Sequence, residues 1–161
     1  MSEQHAYRAT IDWRLGEGES FVGNRYSRRH QWHFDGGVSV PASAAPGVVP
    51  VPLSDPAAVD PEEAFVAALS SCHMLFFLAY AAKQGHAVRR YLDEAVGVMG
   101  RNPQGRIAML TVTLRPRVEW DGAAPSADAI EALHERAHHA CYIANSVTTD
   151  VRIEPAPPAR A

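Results

Sequence analysis

From Ala64 to Ala82 the chain carries no Asp, Glu, Lys or Arg. That run decides most of what the molecule can be. It opens on Asp60-Pro61-Glu62-Glu63, which supplies an N-cap, a proline at the first helical position and two carboxylates in the positive first turn. It closes on Lys83-Gln84-Gly85, and a glycine is the usual residue where a helix stops. Phe65, Val66, Leu69, Met74, Leu75, Phe76, Phe77 and Leu78 leave no polar side along it. A helix apolar nearly all round is expected to be central and covered on most faces. Its length approaches a membrane span. The polar centre, Ser70-Ser71-Cys72-His73, argues instead for a buried helix in a soluble fold.

Short alternating runs flank that helix. Tyr7 to Leu15 reads as a strand, followed by turn glycines at Gly16 and Gly18, then by strands at Phe21–Tyr26 and Gln31–Phe34. Asp35-Gly36-Gly37 has turn chemistry. Beyond the helix, Tyr91–Met99 and Arg106–Val118 read as two long strands joined at Asn102-Pro103-Gln104-Gly105. Ser126 is expected to cap a second helix from about Ala127 to Ala140, with Ile130, Leu133 and Ala137 on its inner face. A short strand over Ser146–Ile153 follows, then a tail over 155–161 expected to fray. Strands, a long helix, strands, a helix and a strand make an α+β pattern.

The stretch from Pro41 to Pro61 holds half of the chain's prolines, so it can form neither helix nor central strand. An ordered surface loop over 41–59 is expected, inside one domain spanning 1–161, because 161 residues suit a single core. A net charge of −3 without a basic stripe argues against nucleic acid. Met1 to Thr10 holds no apolar signal core, so a cytosolic protein with no membrane partner is expected.

Two cysteines remain. Cys72 lies mid-helix among small residues, Ala67-Ala68-Leu69-Ser70-Ser71, which leave room beside a thiol. One such cysteine alone is more often inert core. Cys141, at the end of the second helix, makes a redox pair the better reading. A thiolate attacks, a peroxide converts it to sulfenic acid, and a second thiol condenses with that to a disulfide. A thiolate in an apolar helix needs a nearby cation. The segment Asn24-Arg25-Tyr26-Ser27-Arg28-Arg29-His30 offers three.

The run Asp60-Pro61-Glu62-Glu63-Ala64-Phe65-Val66-Ala67-Ala68-Leu69-Ser70-Ser71-Cys72-His73 resembles the first-cysteine helix of the OsmC/Ohr hydroperoxide reductases. Ala137-His138-His139-Ala140-Cys141-Tyr142-Ile143-Ala144-Asn145-Ser146-Val147 resembles their second-cysteine motif. The resemblance covers nearly the whole chain. It implies strands wrapped around a long central helix in an intertwined homodimer. The implied activity is thiol-dependent reduction of organic hydroperoxides to alcohols. Cys72 then matches the attacking cysteine, Cys141 the resolving one, and Glu62 the family's glutamate. Arg28 is the first match for its arginine, ahead of Arg29 and Arg25. A small dithiol or dithiol protein, lipoyl-type by the resemblance, would be the reductant, and no cofactor is implied. The family usually has proline directly after the second cysteine, where this chain has Tyr142, so activity or choice of reductant is open to difference.

Glu62 and Cys72 are ten residues apart, about 15 Å along a straight helix. If Glu62 serves Cys72, it is expected to do so from the other subunit. His73, His138 and His139 are possible zinc or iron ligands, but adjacent helical residues point about 100° apart. No metal site is expected, and these histidines are assigned polar surface or supporting roles. Two rival readings stand beside the enzyme. One is a stress-response or small-molecule-binding protein on the same scaffold with little peroxidase activity. The other is a structural dimer whose cysteines only pack.

Overall fold

The computed structural model describes residues 4–156. Its elements run β1 (Ala9–Asp12), β2 (His30–Phe34), β3 (Ser39–Ala42), α1 (Pro61–Lys83), β4 (Val88–Asp93), β5 (Val96–Arg101), β6 (Ile107–Leu114), β7 (Pro116–Trp120), α2 (Ala127–Ala140), a 3₁₀ turn (Ala144–Ser146) and β8 (Asp150–Ile153). This is the α+β class expected from the sequence. The chain forms two compact units, Met1–Ala64 and Phe65–Ala161. Of the tail assigned to 155–161, residues 157–161 lie outside the described residues.

In the first unit β1, β2 and β3 form an antiparallel meander, with Ile11 opposite Trp32 and Trp32 opposite Val40. Pro41 is accommodated because β3 is an edge strand, where a missing N–H breaks no second ladder. The strand expected at Phe21–Tyr26 is not formed. Gly23 and Asn24 bend the segment into a tight turn, with Asn24 at φ 54° and one bridge between Ser20 and Arg25. Its aromatics have the spacing of a strand without forming one. They pack as a cluster instead, Phe21 5.7 Å and Tyr26 5.3 Å from the Trp13 ring. The proline-rich stretch is pinned by local bonds. Ser43 N–H donates to Val59 O, Arg28 N–H to Leu53 O, and Asp55 N–H to the buried Ser43 hydroxyl.

α1 begins as its residues dictate. Asp60 Oδ1 accepts from Glu63 N–H at 2.7 Å, and Glu63 Oε2 reaches back to Asp60 N–H at 3.4 Å, a reciprocal capping box. It ends at Gly85, whose φ of 80° only glycine adopts without strain. The expectation that α1 is covered on most sides is met except along one stripe. Leu69, His73, Phe77 and Ala81, four residues apart in succession, are its buried stripe. Ala67, Ser71, Leu75 and Ala79 form an equally regular stripe that is exposed. Between the two stripes Phe65, Val66, Phe76, Leu78 and Tyr80 are half-buried against the cores.

In the second unit the two long strands foreseen are four. β4 pairs with β7, while β5, β6 and β8 form a separate sheet, β8 running parallel to β6. One residue explains both breaks. Asp93 ends β4, and its carboxylate accepts the N–H of Arg115, the residue separating β6 from β7, at 2.6 Å. The same carboxylate accepts the Ser70 hydroxyl of α1. Both chain segments therefore change sheet at one point, latched to the helix. Gly97 lets β5 approach α1: a Cβ there would lie 2.7 Å from Val66 Cγ2 and 2.6 Å from Met109 Sδ. α2 matches its expected bounds, with Ser126 Oγ accepting from Ala129 N–H at 3.2 Å. It closes one core of Phe77, Ala81, Leu133 and Ala137, while Leu69, Val112 and Leu114 form a second.

Candidate active site

Both cysteines are free thiols. Cys72 is half-buried on α1, and Cys141 is buried at the residue that ends α2. Its N–H still bonds His138 O, but its ψ of 111° turns the chain out of the helix. The turn that follows wraps the sulfur, and Ala144 N–H points at Sγ from 3.4 Å. Cys72 is near enough to Cys141 to influence its ionisation. The Cys141 thiol is pushed up to about 11, first by burial and then by its hydrogen bond to Cys72, against the opposing backbone N–H groups of Ala144 and Ile143. Tyr142, the next residue, is exposed, and its ring meets Phe76 edge-on at 5.0 Å. Phe76 is one turn beyond Cys72, so this aromatic pair fastens the two cysteine-bearing segments together.

The other two site residues foreseen lie in the first unit. Arg28 stacks its guanidinium on the Tyr26 ring at 3.7 Å and donates to Tyr26 O and to Asn24 Oδ1. It lines a cavity of about 390 Å³ with Trp13, Phe21, Tyr26 and His30. Arg29 is engaged by Asp55 at 2.9 Å, and Arg25 closes the Ser20 bridge through its backbone. Glu62 is half-buried. Among the described residues no ion pair joins it to Arg28. The structure thus brings Cys72 and Cys141 together, and it does not pair Glu62 with Arg28.

A family model described as OsmC-like protein matches residues 54–156, which holds both cysteines and Glu62. The chain belongs to the OsmC-like family. It is 51% identical to an OsmC-like protein of unknown function from Vibrio cholerae, with a TM-score of 0.93 over 95% of this chain and 100% of that one. The organic hydroperoxide resistance protein of Elizabethkingia anophelis shares the fold at 16% identity, with a TM-score of 0.69 over 96% of each chain. That of Bacillus subtilis does so at 17% identity, with a TM-score of 0.64 over 93% of this chain and 98% of that one. No curated protein matches.

In this OsmC-like chain the residue beside Cys72 is not at the surface, as the sequence reading allowed. His73 is buried, and its Nε2 lies 3.0 Å from Nδ1 of His134, which is buried too. The two rings are parallel within 6°. Burial lowers both, His73 to about 3 with His134 and His138 adding to the effect, and His134 to about 4. Both are therefore neutral, and one donates to the other. The sequence reading took Leu133 and Ala137 as the inner face of α2 and passed over His134 between them. The signal was there: His134 and His138 are four residues apart in His-Glu-Arg-Ala-His, so they share a face. Among the described residues no three His, Cys, Asp or Glu side chains stand together as a ready-made metal site.

Proposed function

We propose that this OsmC-like protein is a two-cysteine thiol peroxidase that reduces organic hydroperoxides. The observation that carries the reading is that Cys72, on a helix far away in sequence, lies near enough to Cys141 to help raise its pKa. The Cys72 thiolate attacks the distal oxygen of the hydroperoxide. The O–O bond breaks, and the alkoxide leaves with a proton as the alcohol. Cys72 is then a sulfenic acid. Cys141 attacks that sulfur, water departs, and a disulfide joins the two. A dithiol, small or protein-borne and of lipoyl type by family analogy, restores both thiols and is itself oxidised to a disulfide. Cys141 is the nucleophile of this second step. The organic hydroperoxide resistance proteins of Elizabethkingia and Bacillus that share the fold support this reading. A cycle that must be re-reduced each turn suits the cytosol.

The reading includes a homodimer. Supporting it are the exposed stripe on α1, whose small residues Ala67, Ser71 and Ala79 permit close approach around Leu75, and exposed Val96, Val98 and Met99 on the edge strand β5. The second copy is proposed to bring Glu62, and Arg28 with it, to bear on the Cys72 thiolate.

The test is to add one equivalent of cumene hydroperoxide to the reduced protein and titrate thiols. Loss of both thiols within seconds, an intramolecular disulfide by mass spectrometry, and trapping of the sulfenic acid in Cys141→Ser are expected. Cys72→Ser should lose the reaction. Thiols that persist through the addition would sink the enzyme and leave the binding-protein reading in its place.

A further inference from the structure

Polar atoms inside proteins nearly always have partners, and each exception calls for an explanation. His73 and His134 are 1% and 4% exposed, and Nε2 of the first lies 3.0 Å from Nδ1 of the second. Their outer nitrogens, His73 Nδ1 and His134 Nε2, are buried without a hydrogen bond. The Phe77 ring stacks on His134, with centroids 4.3 Å apart. One bond between two neutral rings is thus the only hydrogen bond either ring makes among the described residues. His73 follows Cys72 on α1, and His134 lies about two turns before Cys141, the residue that ends α2. The bond therefore ties the helix that holds one cysteine to the helix that delivers the other.

Charge is what this arrangement cannot accept. Among the described residues no carboxylate forms an ion pair with either ring. On α2, Glu131 and Glu135 are exposed, Arg136 stacks over Tyr80, and His138 acts on His73 in the same direction as burial does. On β4, Tyr91 packs on Phe77 and is kept neutral by burial, while the Asp93 carboxylate accepts from the Ser70 hydroxyl and the Arg115 N–H. On β7, Glu119 faces Arg90, and Arg117 brings only another positive charge. On β8, Asp150 is held by Arg152, and beyond it Glu154 by Arg115. One proton on the pair leaves an uncompensated charge in the core. A second sets N–H against N–H across 3.0 Å, and the bond is lost.

We propose that the His73–His134 bond is an acid-opened clasp. While both imidazoles are neutral it docks α2 on α1 and keeps Cys141 beside Cys72; protonation releases α2 and takes the two sulfurs apart. The release is local, because the core that α2 closes (Phe77, Ala81, Leu133 and Ala137) is separate from that of Leu69, Val112 and Leu114. Linkage gives the sign. Both docked values lie below the ordinary 6.5, at about 3 for His73 and about 4 for His134. Docking is therefore at full strength above 6.5 and weakens as pH falls from there toward 4 and then 3. Each ring weakens it about tenfold per pH unit across that window, and the two together about a hundredfold.

Amide hydrogen exchange of the reduced chain, read by mass spectrometry from about pH 7 to about pH 4.5 and corrected for the intrinsic rate, tests this. The α2 amides should lose protection with a slope approaching a hundredfold per pH unit near about pH 5, while those of β6 hold. In the His73→Gln, His134→Asn double variant the side-chain amides can make the same bond but take no proton, and the loss should shrink to under about threefold per unit. If circular dichroism shows that variant unfolded, His134→Asn alone decides, with the slope cut to about tenfold per unit. In Cys72→Ser, 4,4′-dithiodipyridine, which stays reactive in acid, should reach the buried Cys141 with the pH dependence of α2 opening. Protection of α2 that persists to about pH 4.5, or an equal loss in the histidine variants, would overturn the clasp. So would β6 opening together with α2, or a Cys141 that stays closed to the reagent while α2 opens. No arm uses a peroxide, so the clasp and the peroxidase reading stand or fall separately.

Discussion

The two helices differ in what their sequences ask for and what one chain provides. α1 is apolar on every side, yet only Leu69, His73, Phe77 and Ala81 are buried, and its opposite stripe faces solvent. α2 is amphipathic, with Ser126, Glu131, Glu135 and Arg136 outward, yet its buried side includes His134 between Leu133 and Ala137. The first helix has more apolar surface than its own chain covers, which is what the proposed homodimer would use. The second buries His134, which packs against His73 and leaves its Nε2 without a partner. Each departs from the simple rule of apolar inside and polar outside, in opposite directions, and each departure has its own explanation.

The sharpest way to break the comparison is to mutate both stripes of α1. The Phe77 ring is fully buried, 4.3 Å from His134 and 5.5 Å from Tyr91. Phe77→Ala should cost about 3–5 kcal/mol of unfolding free energy in urea melts, at any protein concentration. A loss under about 1 kcal/mol would mean that the stripe is not the core.

Leu75, two residues earlier and 60% exposed, should behave oppositely. Leu75→Asp is expected to change the unfolding free energy of the isolated chain by no more than about 0.5 kcal/mol. It should weaken self-association at least a hundredfold, about 2.7 kcal/mol, by sedimentation velocity across a dilution series. A Leu75→Asp protein that sediments as the wild type does would remove α1 from any interface.

How much of this was legible beforehand follows the same division. The helix boundaries were, because Asp60, Pro61, Gly85 and Ser126 act through local chemistry that a sequence displays directly. The proximity of Cys72 and Cys141 came through family resemblance, since no local rule brings residues 72 and 141 together. The sheet was only half legible. Two long alternating runs cannot reveal that Asp93 reaches Arg115 and divides each run between two sheets. Phe21 and Tyr26 misled because β-formers in a row look alike whether they pair with a strand or stack on Trp13. His134 was missed for a different reason. A histidine between buried apolar residues reads as a polar interruption until its spacing to His138 is counted.

The smallest effect concerns the junction of the two helices, where Cys141 ends α2 and meets Cys72 on α1. Burial is the leading cause of its raised pKa and Cys72 the next. Removing Cys72 should therefore lower the Cys141 value only part of the way from about 11 toward the ordinary thiol. The ¹³Cβ shift of Cys141, followed against pH in the reduced wild type and in Cys72→Ala, measures this. Linkage fixes the sign for stability. Between the unfolded thiol value of about 8.5 and the folded value, the unfolded chain has lost a proton that the fold retains. Stability must therefore fall as pH rises through that window, by up to about 1.4 kcal/mol per unit from this one group. The fall should end at a lower pH in Cys72→Ala. If Cys141 titrated near 8.5 in the wild type, the sulfur would not be enclosed as the capping turn implies. The second helix would then deliver its cysteine to solvent, not to the first.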